Sequence, residues 1–156
     1  MHKCIQFLVI MLLWLSSANQ AFAGITTIQA LSFGEWIVKN NDAVHSITVN
    51  LSGPAFTFDS AGFIIINPTA QLGIYDLDGM PPNMAISSVV ITQITPLSGP
   101  SGPNFQMNPF QESNPGTTDG SGVARIRVGG TAQTSGSGVP YVDQTYTGTL
   151  QIQINF

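Results

Sequence analysis

The sequence predicts an all-β domain, a sandwich or a barrel of about seven to nine mostly antiparallel strands. Short runs of alternating apolar and polar residues recur between Gly, Pro, Asn and Ser turn signals, and no helical pattern follows the first 23 residues. In the clearest run, Leu150, Ile152, Ile154 and Phe156 alternate with polar residues. Their burial would contribute on the order of 6–12 kcal/mol as an upper estimate, so we expect this strand at the centre of the fold.

The first 23 residues have the layout of a secretory signal peptide, which leaves one domain over residues 24–156. A short basic start precedes an apolar run over residues 5–15, and Ala21-Phe22-Ala23 forms a small-x-small cleavage site. The apolar run is too short for a stable transmembrane span, although an uncleaved anchor is the alternative. The prediction is an exported protein that passes through the periplasm to the cell surface or into an extracellular fibre.

The first half of the domain is predicted to contain a short lead-in over residues 24–30 and then a series of strands. The run from Phe63 to Ile66 is continuously apolar, which predicts a strand buried on both faces. Turn residues such as those from Asp78 to Asn83 separate the strands. Strands are expected at residues 31–38, with a break at Gly34, and at 46–51, 55–58, 63–66, 70–77 and 84–95.

Residues 96–122 are predicted to form one long Pro/Gly-rich loop, because five prolines lie there among many Gly, Ser and Asn residues. A loop of this length inside a compact domain is uncommon and is either functional or mobile. Phe105 and Phe110 are its candidate anchors. A strand over residues 123–128 and a Gly/Ser-rich segment over residues 131–140 lead to the terminal strand.

Charge and cysteine content exclude several classes of function. The single cysteine, Cys4, lies in the signal segment, so the exported chain would hold together by packing and strand pairing without a disulfide. After cleavage only Lys39, Arg125 and Arg127 oppose eight acidic residues. This negative charge argues against binding to nucleic acid and to anionic membranes.

Four short motifs resemble one known family. They are Leu31-Ser-Phe33-Gly34, Tyr75-Asp-Leu-Asp-Gly79-Met-Pro81-Pro82, Val128-Gly129-Gly130-Thr131 and Asp143-Gln-Thr-Tyr146-Thr-Gly148-Thr-Leu150. Together they are similar to bacterial secreted domains of uncharacterised function that are often encoded beside chaperone–usher pilus genes. The resemblance implies an immunoglobulin-like sandwich with a pilin-like or surface-structural role, and it implies no catalytic residues.

The chain differs from ordinary chaperone–usher pilins, which usually carry a disulfide and a long alternating extension that completes the sheet of the next subunit. Here little precedes the first predicted strand, and Ile25 and Ile28 do not share a face of an ideal strand. The carboxyl end suits capture by a periplasmic chaperone. Donor-strand polymerisation is therefore a hypothesis, with these candidate subunit contacts: Ile25, Ile28, Leu150, Ile152, Ile154 and Phe156.

No residue pattern supports catalysis or a metal site. His45 is the only histidine after cleavage, and no cysteine remains, which leaves no zinc ligand set. Asp76 and Asp78 would share one strand face, and paired carboxylates can hydrolyse sugars or bind calcium. Turn residues beside Gly79 are the simpler interpretation. We expect neither an enzyme nor a bound cofactor.

Three classes of function stay open, of which the third, an enzyme, has almost no residue support. The first is a structural, pilin-like fibre subunit whose partners are copies of itself or related subunits, a periplasmic chaperone and an outer-membrane usher. The second is a stand-alone, adhesin-like domain that binds host or surface glycans. A fibre subunit should expose a strand edge that another copy fills, whereas an adhesin should have a self-complete sandwich.

Several side chains are candidates for contacts beyond the domain. Arg125 and Arg127 lie either on the solvent-exposed face of a strand or in a contact to an acidic patch on a neighbouring subunit. Tyr141 and Tyr146 suit sugar stacking or corner packing. The long loop offers an exposed contact patch, with the alternative that its rings pin the loop to the sandwich; its candidate residues are Phe105, Met107 and Phe110.

Overall fold

A computed structural model describes residues 24–156, which form ten antiparallel strands and no helix. The predicted all-β sandwich is thereby confirmed in its class, while the signal peptide predicted for residues 1–23 lies outside the described residues. No helix in residues 24–156 has the length and apolar character needed to cross a membrane. The strands are β1 (Gly24–Gln29), β2 (Glu35–Val38), β3 (Ser46–Val49), β4 (Phe56–Phe58), β5 (Phe63–Asn67), β6 (Gly73–Asp78), β7 (Ser88–Ser98), β8 (Gln106–Glu112), β9 (Ala124–Gln133) and β10 (Thr147–Asn155).

The larger sheet has the strand order β1-β6-β9-β3-β4, and β8 also pairs with β9. The first half of β9 pairs with β6 and the second half pairs with β3. Between the halves, a Cβ on Gly129 would lie 2.4 Å from the Val49 carbonyl oxygen, and one on Gly130 would lie 2.9 Å from Phe110 Cδ1. Glycine at these two positions lets β3 and β8 approach β9 closely.

β7 and β10 form the second layer of the sandwich, paired antiparallel from Thr147–Ser98 to Asn155–Ser88. A bridge between Leu97 and Phe105, with two backbone hydrogen bonds of 2.9 Å, connects β7 to the start of β8. The core lies between the layers. Its buried side chains come from β6, β7, β9 and the segment before β7, and they are Leu77, Ile86, Val89, Ile91, Ala124, Ile126 and Val128.

β2 and β5 form a separate two-stranded ribbon that packs against β4. The ring of Trp36 lies 5.6 Å from that of Phe56 and 5.0 Å from that of Phe58. Phe63, which is 2% exposed, adds a third ring at 6.2 Å from Trp36. Aromatic pairs at these separations add to the stabilisation from buried area, so the cluster fixes the ribbon on the sheet.

The carboxyl-terminal strand corrects the sequence analysis, because β10 lies at an edge and not at the centre. Within residues 24–156 it pairs with β7 alone. Leu150, Ile152 and Ile154 pack against the core, whereas Phe156 lies beyond the strand and is 51% exposed. Alternation predicts one buried face correctly, but it does not report how many neighbours a strand has.

Two boundary predictions are also wrong. The lead-in over residues 24–30 contains β1, which pairs with β6, and the strand expected at residues 31–38 begins only at Glu35. Residues 96–122 are not one loop, because β7 continues into them and β8 forms within them by pairing with β9. Both differences arise from non-local pairing, which local Pro and Gly content does not report.

The apolar run of β5 is not buried on both faces. Phe63 is buried, but Ile64 is 48% exposed and Ile66 is 60% exposed. The ribbon therefore has an apolar inner face and an outer face that is also apolar.

Candidate functional site

A groove runs between the two layers, with β1 on one side and β10 on the other. Its volume is about 470 Å³. β1 contributes Ile25 and Thr27 to the lining, β6 contributes Tyr75, and β10 contributes residues 147–150 and Ile152. The groove lies where the larger sheet and the second layer end without pairing to each other.

Both strands that border the groove are edge strands. β1 pairs with β6 and β10 pairs with β7, and within residues 24–156 no strand pairs with the opposite side of either one. An unpaired edge presents a row of backbone N–H and C=O groups that can pair with another chain. Natural edges are commonly protected by charged residues or proline, but neither β1 nor β10 contains any. The register of β10 is regular from Leu150 to Asn155.

The groove walls are apolar or hydroxyl-bearing, and none of the lining residues is charged. Ile25 is 49% exposed, Leu150 and Ile152 are half-buried, and Met107 is 3% exposed. This surface suits an uncharged, extended segment that places apolar side chains between the layers and pairs its backbone with an edge. A charged side chain there would lose hydration without gaining a partner.

Close backbone approach at Gly148 shapes one end of the groove. A Cβ at this position would lie 2.8 Å from Met107 Cε and 2.9 Å from the carbonyl oxygens of Thr95 and Pro96. A residue without a Cβ therefore lets β10 lie against β7 while Met107 fills the space beneath. These short distances explain why position 148, two residues after Tyr146, is a glycine.

An aromatic cluster beside the groove is held from within the chain. The ring of Phe105 stacks on Tyr141 at 4.1 Å, and Tyr146 meets Phe105 edge-on at 5.0 Å. The Tyr141 hydroxyl donates to the carbonyl of Asn104 and accepts from the N–H of Ser135, and partial burial raises the pKa of Tyr141. The Tyr146 hydroxyl likewise bonds to backbone four residues earlier. The cluster anchors loops instead of presenting a free stacking platform for a sugar.

The structure brings half of the predicted subunit contacts together. Ile25, Leu150 and Ile152 line the groove from opposite sides. Thr27 and Tyr75, which also line the groove, were not among the predicted contacts. Thr27 follows Ile25 by two residues on a strand, so the period of two could have identified it once β1 was recognised.

The other predicted subunit contacts lie elsewhere. Ile28 is at the bulge between Thr27 and Gln29, is 54% exposed, and does not line the groove. Ile154 packs on the core, and Phe156 is exposed beyond the end of β10.

The predicted contact residues of the 96–122 segment do not form an exposed patch. Met107 is buried, Phe110 packs against the core, and Phe105 is half-buried in the aromatic cluster. Met107 and Phe110 lie in β8, and Phe105 directly precedes it and bridges to Leu97 of β7. The segment thus connects the layers, and these side chains turn inward. Of the three, only Met107 lines the groove.

Three of the four charged side chains of β6 and β9, those of Asp76, Asp78 and Arg125, are engaged with neighbours, whereas Arg127 bonds to Ser113 through its backbone. Arg125 donates from Nε and one terminal nitrogen to the two carboxylate oxygens of Asp76, at 2.7 and 2.8 Å. This hydrogen bonding lowers the pKa of Asp76 and raises that of Arg125. Asp78 accepts a hydrogen bond of 3.1 Å from the Thr26 hydroxyl. The two carboxylates therefore brace strands, and Arg125 already has an acidic partner in its own chain.

His45 ties β3 to the turn after β4. It is 8% exposed, its Nδ1 lies 2.6 Å from Asp59 Oδ2, and its Nε2 lies 2.8 Å from Asn40 Oδ1. The hydrogen bond with His45, followed by that from the Ala61 N–H, lowers the pKa of Asp59. In the part of the chain that the structure describes, no group of three or more His, Cys, Asp or Glu side chains is placed to hold a metal ion.

Comparison with known proteins identifies the domain at the family level. A protein-family model described as "Domain of unknown function (DUF4402)" matches residues 24–156. No curated protein and no solved structure matches the chain. The family match spans all ten strands, so the groove and both of its edges lie inside the shared domain.

Proposed function

The chain belongs to the DUF4402 family of domains of unknown function, and we propose that it is a structural, pilin-like subunit of an extracellular or cell-surface bacterial fibre. In this role, subunits assemble through strand or edge contacts with other copies or with related subunits. No catalytic step is part of the proposal.

The groove between β1 and β10 is the observation that supports the proposal. It is bordered by two strand edges that have no partner within residues 24–156 and no charged or proline residue to deter pairing. None of the residues that line the groove is charged. Added strands gain affinity from backbone hydrogen bonds and specificity from pockets for alternate side chains. The two unpaired edges and the uncharged wall of this groove support such a mode of assembly.

Export and assembly partners complete the proposal. The signal-peptide layout of residues 1–23 would deliver the protein to the periplasm. Unpaired edges are an aggregation hazard during transit, so a periplasmic chaperone would cover the groove until an outer-membrane usher places the subunit in a fibre. The resemblance to domains encoded beside pilus genes gives the same pair of partners.

A charge placed in the groove tests the role directly. Thr147 is exposed and lines the groove, whereas Gln153 is exposed on the outer face of the same strand. Thr147→Lys should prevent assembly of the mature protein because an ammonium group would meet an uncharged wall. Gln153→Lys, with the same added charge, should assemble like the wild type. Gel filtration and unboiled gel electrophoresis would show the ladder of assembled species.

Two outcomes count against the proposal. A wild-type protein that stays a folded monomer with no ladder, alone and with its periplasmic chaperone, would remove the fibre role. Equal assembly of the two lysine variants would show that assembly does not use the groove.

A further inference from the structure

The outer face of the β2–β5 ribbon is apolar, where the outer face of an antiparallel sheet is ordinarily polar. Ile37 and Ile64 stand directly opposite each other in the register, and each is 48% exposed. Ile66 follows on β5 and is 60% exposed. Ile66 is the unpaired residue at the register irregularity opposite Glu35 and Trp36. Ile37, Ile64 and Ile66 are here termed the isoleucine face. Contiguous exposed apolar patches mark interaction sites more often than isolated apolar residues do.

The chain supplies its own comparison for a face that meets water. The outer face of β10 carries Gln151, Gln153 and Asn155, all exposed. The exposed Val90 of β7 lies opposite Gln153 in that register, and Thr92 lies opposite Gln151. Polar residues therefore interrupt the apolar ones on the β7–β10 surface, whereas the isoleucine face has no such interruption between Ile37 and Ile64.

Two opposite charges flank the isoleucine face, Glu35 at the start of β2 and Lys39 directly after its last residue. Glu35, Ile37 and Lys39 are exposed at alternate positions, so they point to the same side of the ribbon. Glu35 and Lys39 are about 13 Å apart along the strand, from the rise per residue. Among residues 24–156 neither takes part in an ion pair; the Lys39 ammonium donates to the Ser60 carbonyl at 3.2 Å, and its charge adds to the hydrogen bonding that lowers the pKa of Asp59.

We propose that the isoleucine face binds the same face of a second copy of this chain. Two stacked sheets lie about 10 Å apart, a gap that Glu and Lys side chains can bridge. A two-fold axis that lies in the interface and crosses the strands places Ile37 against Ile37, and Glu35 of each copy against Lys39 of the other. An axis along the strands would instead stack Glu35 on Glu35, so the charges select the first arrangement.

The contact is weak between single molecules. The isoleucine face is much smaller than the roughly 800 Å² per partner of a stable interface. It therefore produces reversible self-association at high concentration. If the proposed fibre forms, repeated copies of the face multiply the contact between neighbouring fibres by avidity; the contact itself does not depend on the fibre.

A charge-reversal exchange tests the proposal on the mature protein by sedimentation velocity over a concentration series. Glu35→Lys or Lys39→Glu alone should weaken self-association about tenfold, since each replaces two attractive pairs by two repulsive ones. An equimolar mixture of these two variants should associate as well as the wild type, and so should the double variant. Asp143→Lys, an exposed site outside the ribbon, changes the net charge as Glu35→Lys does and should leave association unchanged.

A separate variant tests the apolar part of the proposed contact, the isoleucine face. Ile64→Thr, which keeps β-branching at an exposed position, should also weaken self-association, and circular dichroism would show that the fold persists. Thr147→Lys should retain this self-association, so a failure of the isoleucine-face proposal can be distinguished from a failure of the groove proposal.

The proposal would be overturned if the single charge variants associated as strongly as the wild type, or if the mixture of the two variants did not regain wild-type association. Binding of wild type to neutral phosphatidylcholine vesicles without self-association would overturn it in favour of a lipid surface.

Discussion

At the scale of single residues, a buried polar junction holds the start of β3 in place. The His45 imidazole lies between oxygens of Asp59 and Asn40, and Gly62 packs so tightly on it that a Cβ would approach the ring within 2.2 Å. A buried polar group of this kind is stabilising only while its partners remain. The junction therefore responds to the charge state of Asp59.

Replacing Asp59 by Asn should reduce the dependence of the free energy of unfolding on pH in the acidic range. The hydrogen bond with His45 holds the pKa of Asp59 below its ordinary value of 3.8. A lowered pKa means that the stabilisation is complete above the ordinary value and is lost as pH falls through the pKa of the folded state. Urea unfolding should show wild type more stable than Asp59→Asn at about pH 6 and nearly equal at about pH 2.

Asp143→Asn is the matched control for the pH dependence, because the Asp143 carboxylate is exposed and makes no hydrogen bond or ion pair within residues 24–156. Its stability should parallel that of the wild type across the range. A difference between wild type and Asp59→Asn that is the same at both pH values would show that ionisation of Asp59 does not stabilise the fold.

Met107 is the most deeply buried of the three side chains, Phe105, Met107 and Phe110, that were candidates for an exposed patch in the 96–122 segment. It is 3% exposed and meets β10 at Gly148. Met107→Ala should lower the free energy of unfolding by about 2–5 kcal/mol, the range for truncating a buried side chain. Urea denaturation monitored by circular dichroism measures the change. If the Met107 side chain were exposed, as the sequence analysis allowed, the substitution would lower the free energy of unfolding by much less than this range.

At the scale of elements, β10 is an edge strand that the core nevertheless requires. Leu150, Ile152 and Ile154 cover the core from the second layer. A chain that ends before Thr147 should lose cooperative thermal unfolding, because the core side chains of β7 and β9 would be exposed to water. Removal of Phe156 alone should have little effect, since that side chain is 51% exposed.

Trp36 reports the outcome of the truncation independently. It is the only tryptophan in residues 24–156 and lies in the aromatic cluster of the ribbon, with Phe56 and Phe58 of β4. If the truncated chain kept the wild-type fluorescence and a sharp transition, β10 would be dispensable for the fold.

The sequence could predict strands wherever apolar and polar residues alternate, as in β3 and β10, because the period of two follows from local strand geometry. It could not predict β8, because this strand lies within a Pro/Gly-rich segment that resembles a loop and forms only by pairing with β9. It also placed the edge strand β10 at the centre. The groove is hardest of all to predict, since it depends on which two strands are left without neighbours and not on any residue type.

At the scale of the whole molecule, the described chain leaves two kinds of surface uncovered. One is the groove with the unpaired edges of β1 and β10, and the other is the isoleucine face of the ribbon. They differ in what they offer a partner: the groove offers backbone groups to an inserted strand, and the face offers flat apolar contact with flanking charges. Fibre assembly through the first and weak lateral contact through the second are compatible, because no residue is shared between them.

Amide hydrogen exchange of assembled against monomeric protein is the most direct measurement of the central claim, that the groove receives a strand from another copy. Amides of β1 and β10 should become protected on assembly, because their free edges gain hydrogen-bond partners. Amides of β4, the opposite edge of the larger sheet, should exchange as before. Assembled protein in which β1 and β10 exchange as fast as in the monomer would contradict the account.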